Sequence, residues 1–256
     1  MYSFSNRVRY SEVNSEKELT LPSLLDYLQD CCIFQSEDLG IGVDYLKEHA
    51  QAWFLASWQV AWILSSWEIK VYRYPQMGQH IKVSTWPYAF RGSYGYRNFC
   101  IEGEDGEKFA EANSVWVFMD TEKIRPARVS ERMQEVYIPE IRDEIPGEWA
   151  DRKISLPDEA VQKSVEKEPV RVSRFYIDTN HHMNNGKYIL VAEEYLPEQV
   201  FVCGLRAEYR KAAMLGDMLY PVVTMEEKQI TVTLADEKGA SYAIICFQIQ
   251  KKERQS

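Results

Sequence analysis

The sequence predicts an α+β protein built from two tandem copies of one unit, a helix followed by an antiparallel sheet. In each half, an apolar stripe with helical spacing precedes runs that alternate apolar and polar residues with the strand period of two. Short echoes recur in the same order. Tyr72-Arg73 precedes Gly78 as Tyr209-Arg210 precedes Gly216, and Gly106-Glu107-Lys108-Phe109-Ala110 is answered by Gly239-Ala240-Ser241-Tyr242-Ala243. A chain of 256 residues also has room for about two small domains at roughly 150 residues each. A long helix with one apolar face buries that face by lying across the sheet that follows it, so two such units pack as a pseudo-dimer.

The first helix is expected over residues 21–34, with Leu21, Leu24, Leu25 and Leu28 on one stripe, Thr20 as its cap and Pro22 in its first turn. Trp67, Ile69 and Val71 alternate with Glu68, Lys70 and Tyr72, and Ile81 and Val83 alternate with Lys82 and Ser84. Further strands are expected over 94–101 and 109–119, with turns at Gln76-Met77-Gly78 and Gly103-Glu104-Asp105-Gly106. The uncharged stretch 50–67 is broken by Gln51, Ser57, Gln59, Ser65 and Ser66, which makes it a buried strand region rather than a membrane span. A charge-dense segment holding Pro139, Pro146, Pro157 and Pro169 reads as a linker. The expected division is therefore a first unit over 1–135, a linker over 136–168 and a second unit over 169–256. In the second unit a strand is expected over 172–177. A helix then opens at Asn184 or Asn185, carries Tyr188, Ile189, Ala192, Tyr195 and Leu196 on one stripe, and is closed by Pro197.

Charge and composition remove several classes of function. The net charge of −9 repels nucleic acid. Five cysteines with no CxxC pair, and an N-terminal segment without an apolar core before a small-residue cleavage site, point to reduced thiols and a cytoplasmic address. There is no GxSxG, P-loop, GxGxxG or kinase signature. His181 and His182 are adjacent rather than at ligand spacing, so no metal site is expected.

The densest polar cluster is the run from Tyr176 to Tyr188, between a strand and a helix start. It holds two of the four histidines. If 178–182 is extended, its period of two places Asp178, Asn180 and His182 on one side. The helix that follows offers unpaired backbone N–H groups at Asn184 and Asn185, a site for a developing oxyanion. A base or nucleophile, a group that orients it and an oxyanion site are the parts that acyl transfer to water requires. The same residues also suit a plainer role, since Asp and Asn before a helix are ordinary caps and turn formers.

The run Asp178-Thr179-Asn180-His181-His182-Met183-Asn184-Asn185, followed by Tyr188, resembles the signature of acyl-acyl-carrier-protein thioesterases. Further matches to that family are Arg73-Tyr74-Pro75 with Gly78, Thr85-Trp86, Tyr96-Arg97 with Phe99, and Ala112, Ser114, Trp116-Val117 and Asp120 followed by Arg125-Pro126. The resemblance, to the bacterial form of the family, spans about residues 21–217. It implies a double hotdog, two tandem units in which a curved antiparallel sheet wraps a central helix. It also implies hydrolysis of fatty acyl-acyl carrier protein to free fatty acid and holo-carrier protein, with no cofactor and no metal. Asp178 would be general base or nucleophile, with Asn180 and His182 as its partners. One departure stands out. The family's Tyr-Arg-Arg-Glu-Cys-like strand reads Tyr209-Arg210-Lys211-Ala212-Ala213 here, so both the Glu and the Cys are missing. Glu208 is the nearest replacement carboxylate, and Cys203 lies outside the motif position.

The resemblance places chain-length selection in the first unit, where Leu24, Leu28, Trp58 and Trp62 are candidates for the wall of an acyl tunnel. The partner it implies is an acidic acyl carrier protein bearing a fatty acyl-phosphopantetheine, with neither nucleic acid nor membrane. Arg174, Lys187, Arg210 and Lys211 are candidates for a basic docking rim. The chain would be a monomer, itself a pseudo-dimer, or a homodimer. Two alternatives remain open at this stage: an acyl-CoA thioesterase or other hotdog acyl-thioester enzyme, and a non-catalytic acyl-binding protein.

Overall fold

The apolar stripe of the first helix is covered by a sheet, as its spacing requires. The computed structural model describes residues 1–42, 60–156 and 163–251. Helix α1 (Leu21–Asp38) is capped by the Thr20 side chain, which accepts from the Ser23 N–H, and Pro22 occupies its first turn. Leu21, Leu24, Leu25, Leu28, Cys31 and Cys32 are buried on one face, and α1 packs against β1 (Tyr2–Arg7) and β3 (His80–Arg91). The helix runs one turn beyond the expected 34. Gln35 is 1% exposed and bonds the buried guanidinium of Arg97, so this polar residue continues the buried face.

Two compact units divide the chain, the first holding residues 1–65 and 73–149, the second 66–72 and 150–256. In the first, β1, β3, β4 (Tyr94–Gly103) and β5 (Lys108–Asp120) lie in that order, all antiparallel. Strand β2 (Val60–Val71) begins earlier than the alternation at 67–71 indicated, and residues 50–59 of the uncharged stretch lie outside the described residues. A short strand β6 (Arg125–Pro126) pairs with β5.

The expected linker differs from the observed chain at its start. Helix α2 (Glu131–Tyr137) buries Met133 and Tyr137 in a cluster with Ile41, Val60 and Phe118. Beyond it, the Ile145 N–H donates to the Asn98 side chain at 2.9 Å, and the Trp86 indole donates to the Asp143 carbonyl at 2.8 Å. Residues 136–149 therefore belong to the first unit. Charge density marked them as solvated, but their few apolar side chains decide where they pack.

The second unit repeats the plan. Helix α3 (Asn185–Glu193) packs against β11 (Gln229–Ala235) and β12 (Ser241–Lys251). The sheet order is the second half of β2, then β9 (Val200–Tyr209), β12, β11, β10 (Met218–Met225) and β7 (Val165–Glu166), with β8 (Val170–Arg171) also on β10. The expected strand over 172–177 is replaced by a 3-10 turn at Arg174–Tyr176. Helix α3 ends before Tyr195 and Leu196, which lie in the turn that follows. The sequence echoes correspond to matched turns: Gly106 and Gly239 close the β4–β5 and β11–β12 hairpins with φ of 80° and 82°, a conformation glycine adopts without strain. Among the described residues, no helix is long and apolar enough to cross a membrane.

Glu193, in the last turn of α3, sits where the helix dipole already disfavours negative charge, with no basic residue in that turn. Burial, with Glu194 beside it, pushes its carboxyl up to about 7. A raised pKa in the folded chain favours folding below the unfolded value of 4.5, and that contribution is lost as pH rises through about 7. Glu193→Gln should therefore stabilise the protein at pH 8 by roughly 1–3 kcal/mol and leave it nearly unchanged at about pH 4, as read by denaturant unfolding; equal effects at both pH values contradict this.

Candidate active site

The segment 178–182 is a tight hairpin turn rather than an extended strand. Ile177 and Met183 form an antiparallel bridge, flanked by Asp178 N–H to His182 C=O at 2.9 Å and Asn184 N–H to Tyr176 C=O at 2.8 Å. The His181 N–H closes the turn on the Asp178 carbonyl at 3.0 Å, and His181 takes a left-handed φ of 63°. This is a type I turn followed by a left-handed residue, the common three-residue hairpin loop. Asp178 suits its first position, where its Oδ1 accepts from the Asn180 N–H at 2.8 Å.

The change of geometry alters which side chains share a face. Residues opposed across an antiparallel pair point the same way with Cβ atoms about 5 Å apart. Asp178 and His182 therefore project together, while Ile177 and the buried Met183 project to the other side. The expected grouping of Asp178 with His182 is present, but cross-strand pairing produces it instead of alternation. Asn180 stands apart at the exposed tip of the loop. Among the described residues, Oδ2 of Asp178 and both ring nitrogens of His182 make no hydrogen bond to protein, which leaves them for water or substrate.

Asn184 and Asn185 divide the work at the helix start. Asn184 is the cap, its Oδ1 accepting from the Gly186 N–H at 2.8 Å, and Asn185 is the first helical residue. The Asn184 side chain is thus committed to the helix, its backbone carbonyl accepts from the Lys187 N–H at 2.9 Å, and the first-turn N–H left for an anion is that of Asn185. The residue that sequence reasoning left without a role is Tyr188. Its ring is 2% exposed, its hydroxyl accepts from the Ala213 N–H at 2.8 Å, and the Ala213 carbonyl accepts from the Met183 N–H at 2.8 Å. Tyr209 stacks edge-on against Tyr188 at 5.7 Å and donates to the Asn185 carbonyl at 3.0 Å. Burial above all, reinforced by nearby Tyr242, Asp178 and Asp217, pushes the Tyr188 hydroxyl up to about 12 against the pull of the Ala213 bond. It stays protonated at neutral pH. The signal was present in the sequence, since a tyrosine on a buried stripe must find a partner for its hydroxyl.

Glu208 is not part of this cluster. Tyr209 faces α3, so its neighbour on β9 faces away from it. There the Glu208 carboxylate accepts from the Ile154 N–H at 2.8 Å and pairs with Arg210 at 2.9 Å. Burial alone would raise its pKa, but these partners hold it below the usual carboxylate range. Arg206 adds a bond to the Asp151 carbonyl at 2.6 Å, so Arg206, Glu208 and Arg210 together fasten residues 151–154 to the outer face of β9. Arg210 is thereby withdrawn from the docking rim. Lys211 is also engaged, paired with Asp236 at 3.0 Å over the Tyr242 ring. The Lys187 ammonium lies 5.3 Å from the ring of Phe175, on the 3-10 turn that also carries Arg174. In the first unit, Leu24 and Leu28 are core residues of α1. Trp62 is partly buried against Phe90 and Phe118. Trp58 lies outside the described residues.

Comparison with known proteins bears on this arrangement directly. The family described as the acyl-ACP thioesterase N-terminal domain matches residues 1–137, and its C-terminal counterpart matches residues 159–248. The chain belongs to the acyl-ACP thioesterase family. Among curated members, it is 26% identical over 230 residues to a chloroplastic acyl-acyl-carrier-protein hydrolase of Cuphea viscosissima, covering 88% of this chain and 54% of that one. The chain spans about half the length of the curated relatives it matches. Among solved structures of thioesterases, it superimposes with a TM-score of 0.82 on an acyl-ACP thioesterase from Bacteroides thetaiotaomicron at 20% identity, covering 97% of each chain. The 12:0-ACP thioesterase from Umbellularia californica gives 0.84 at 18% identity, covering 98% of this chain and 97% of that one. The fold is the α+β double hotdog of these thioesterases.

Two substitutions test the loop. Tyr188→Phe strips the acceptor from a fully buried N–H, and should cost about 1–3 kcal/mol, seen as a lower denaturation midpoint at unchanged slope. His181→Gly relieves the left-handed backbone and should stabilise by up to about 1 kcal/mol; a loss of stability would show that the His181 side chain holds the turn.

Proposed function

We propose that this chain hydrolyses the thioester of fatty acyl-acyl carrier protein, releasing free fatty acid and holo-carrier protein. The observation that carries the reading is the shared face of Asp178 and His182 beside the start of a helix at which, among the described residues, the Asn185 N–H has no protein partner. Membership of the family supports the reaction class, and the names of curated relatives support carrier protein over coenzyme A as the donor.

Water adds to the thioester carbonyl, the C–S bond breaks, and the departing sulfur takes a proton. Asp178 Oδ2 either accepts the proton of that water or adds to the carbonyl first, forming an anhydride that water then opens. His182, opposite it, exchanges protons with the water and the leaving thiol. The Asn185 N–H, with the positive end of the α3 dipole, holds the negative charge that builds on the carbonyl oxygen. A thiolate is a good leaving group, so this modest apparatus suffices even with alanine at position 212. Trp62 is the residue we assign to the wall of the acyl site, because among the described candidates it is partly open while Leu24 and Leu28 are fully buried. Five unpaired thiols suit a reducing, cytoplasmic setting.

The test is thiol release and free fatty acid from a ladder of acyl-carrier proteins and matched acyl-coenzyme A esters. Wild type should favour carrier protein, and Asp178→Ala should lose at least about 100-fold in kcat. Tight acyl binding with no release from any donor would instead favour a binding protein that lost catalysis with the family's carboxylate.

A further inference from the structure

The turn between β9 and β10 has an unusual surface. The Met214 carbonyl accepts from the Asp217 N–H at 3.0 Å, the Asp217 carboxylate accepts from the Met214 N–H at 2.9 Å, and Gly216 takes a φ of 92°. Tight turns of this kind normally carry polar residues at their tips. This one carries Met214 and Leu215, 46% and 54% exposed, with Met218 at 36% just beyond. The turn is fixed to its surroundings by backbone bonds: Gly216 N–H to Val172 C=O at 3.0 Å, Val172 N–H to Asp217 C=O at 2.8 Å and Met183 N–H to Ala213 C=O. The adjoining 3-10 turn presents Phe175, 73% exposed. Exposed large apolar side chains gathered on adjoining, well-fixed segments mark an interaction surface.

The charges around these residues identify what the surface fits. Arg171 is the cross-strand neighbour of Met218, and its guanidinium reaches over Gly216. Arg174 precedes Phe175, and Lys187 sits over the Phe175 ring. In a chain of net charge −9, three cations bordering four apolar side chains form a local exception. The acids nearby include Asp217, held by Met214 and Tyr242, Asp236, paired with Lys211, and Asp178, inside the hairpin. Apolar centre and basic border together suit a partner that presents apolar side chains within an acidic surface.

We propose that Phe175, Met214, Leu215 and Met218, bordered by Arg171, Arg174 and Lys187, form the docking surface for the acidic carrier protein that delivers the thioester. This inference rests on the reading of the protein as a carrier-dependent thioesterase, and adds where the carrier is held. Its position explains how delivery is coupled to reaction. The turn that carries Leu215 is bonded through Ala213 to Met183 in the loop of Asp178 and His182, so a carrier seated there brings its prosthetic arm to the catalytic loop.

The experiment compares wild type, Leu215→Glu and Arg171→Glu on two donors with the same acyl chain, acyl-carrier protein and acyl-pantetheine. Leu215 is exposed at a turn tip, so its replacement leaves the fold intact. Each variant should lower kcat/KM for acyl-carrier protein by about tenfold through KM, with acyl-pantetheine hydrolysis unchanged. Unchanged kcat/KM for acyl-carrier protein, or equal loss on both donors, overturns the docking surface. If wild type hydrolyses neither donor, the thioesterase reading fails on its own. Titration of holo-carrier protein onto wild type and Leu215→Glu then decides the surface: weaker binding to the variant upholds it, and equal or undetectable binding to both overturns it.

Discussion

The backbone of Ala213 is the point on which the candidate active site depends. Its N–H is held by the Tyr188 hydroxyl and its carbonyl holds the Met183 N–H, so one residue joins the central helix, the catalytic hairpin and the β9–β10 turn. All three parts are individually weak. A three-residue hairpin with a left-handed histidine is not stable alone, and a helix of nine residues is marginal without packing. Joined at Ala213 and buried against Tyr188 and Tyr209, they constrain one another. That constraint places Asp178 and His182 on one face without any hydrogen bond between the two side chains, which leaves both free to exchange protons.

Alanine at position 212, where the family resemblance implies a glutamate, leaves this frame in place. What the frame requires of the 212–213 stretch is a backbone N–H and C=O at the right place, and alanine supplies both. On the proposed reading, catalysis rests on Asp178, His182 and the Asn185 N–H that opens the helix. Glu208 cannot substitute, because it lies on the opposite face of β9 and is occupied in fastening residues 151–154.

Much of this was legible in the sequence. Helix stripes and strand alternation located the repeated helix-plus-sheet unit, because burial of one face dictates the spacing. The glycine echoes marked equivalent turns for the same reason. Two features were misread where local pattern gave way to tertiary contact. Residues 136–149 look solvated by composition, yet Met133, Tyr137 and Ile145 carry that stretch into the first unit. The motif 178–182 reads as extended by alternation, but an aspartate at the first position and a side chain tolerant of positive φ at the fourth favour a turn. Glu208 and Arg210 flank Tyr209 in sequence but turn to the opposite face of the chain, since alternate residues of a strand serve opposite faces, and Lys211 is taken by Asp236.

The most direct test of the account is a crystal structure of the protein with an acyl-pantetheine analogue whose thioester is replaced by an amide. The account places the amide carbonyl carbon beside Oδ2 of Asp178, with the carbonyl oxygen directed at the N–H of Asn185 at the start of the helix. An analogue bound with its carbonyl remote from the 178–182 hairpin, or with Asp178 turned away from it, would contradict the assignment.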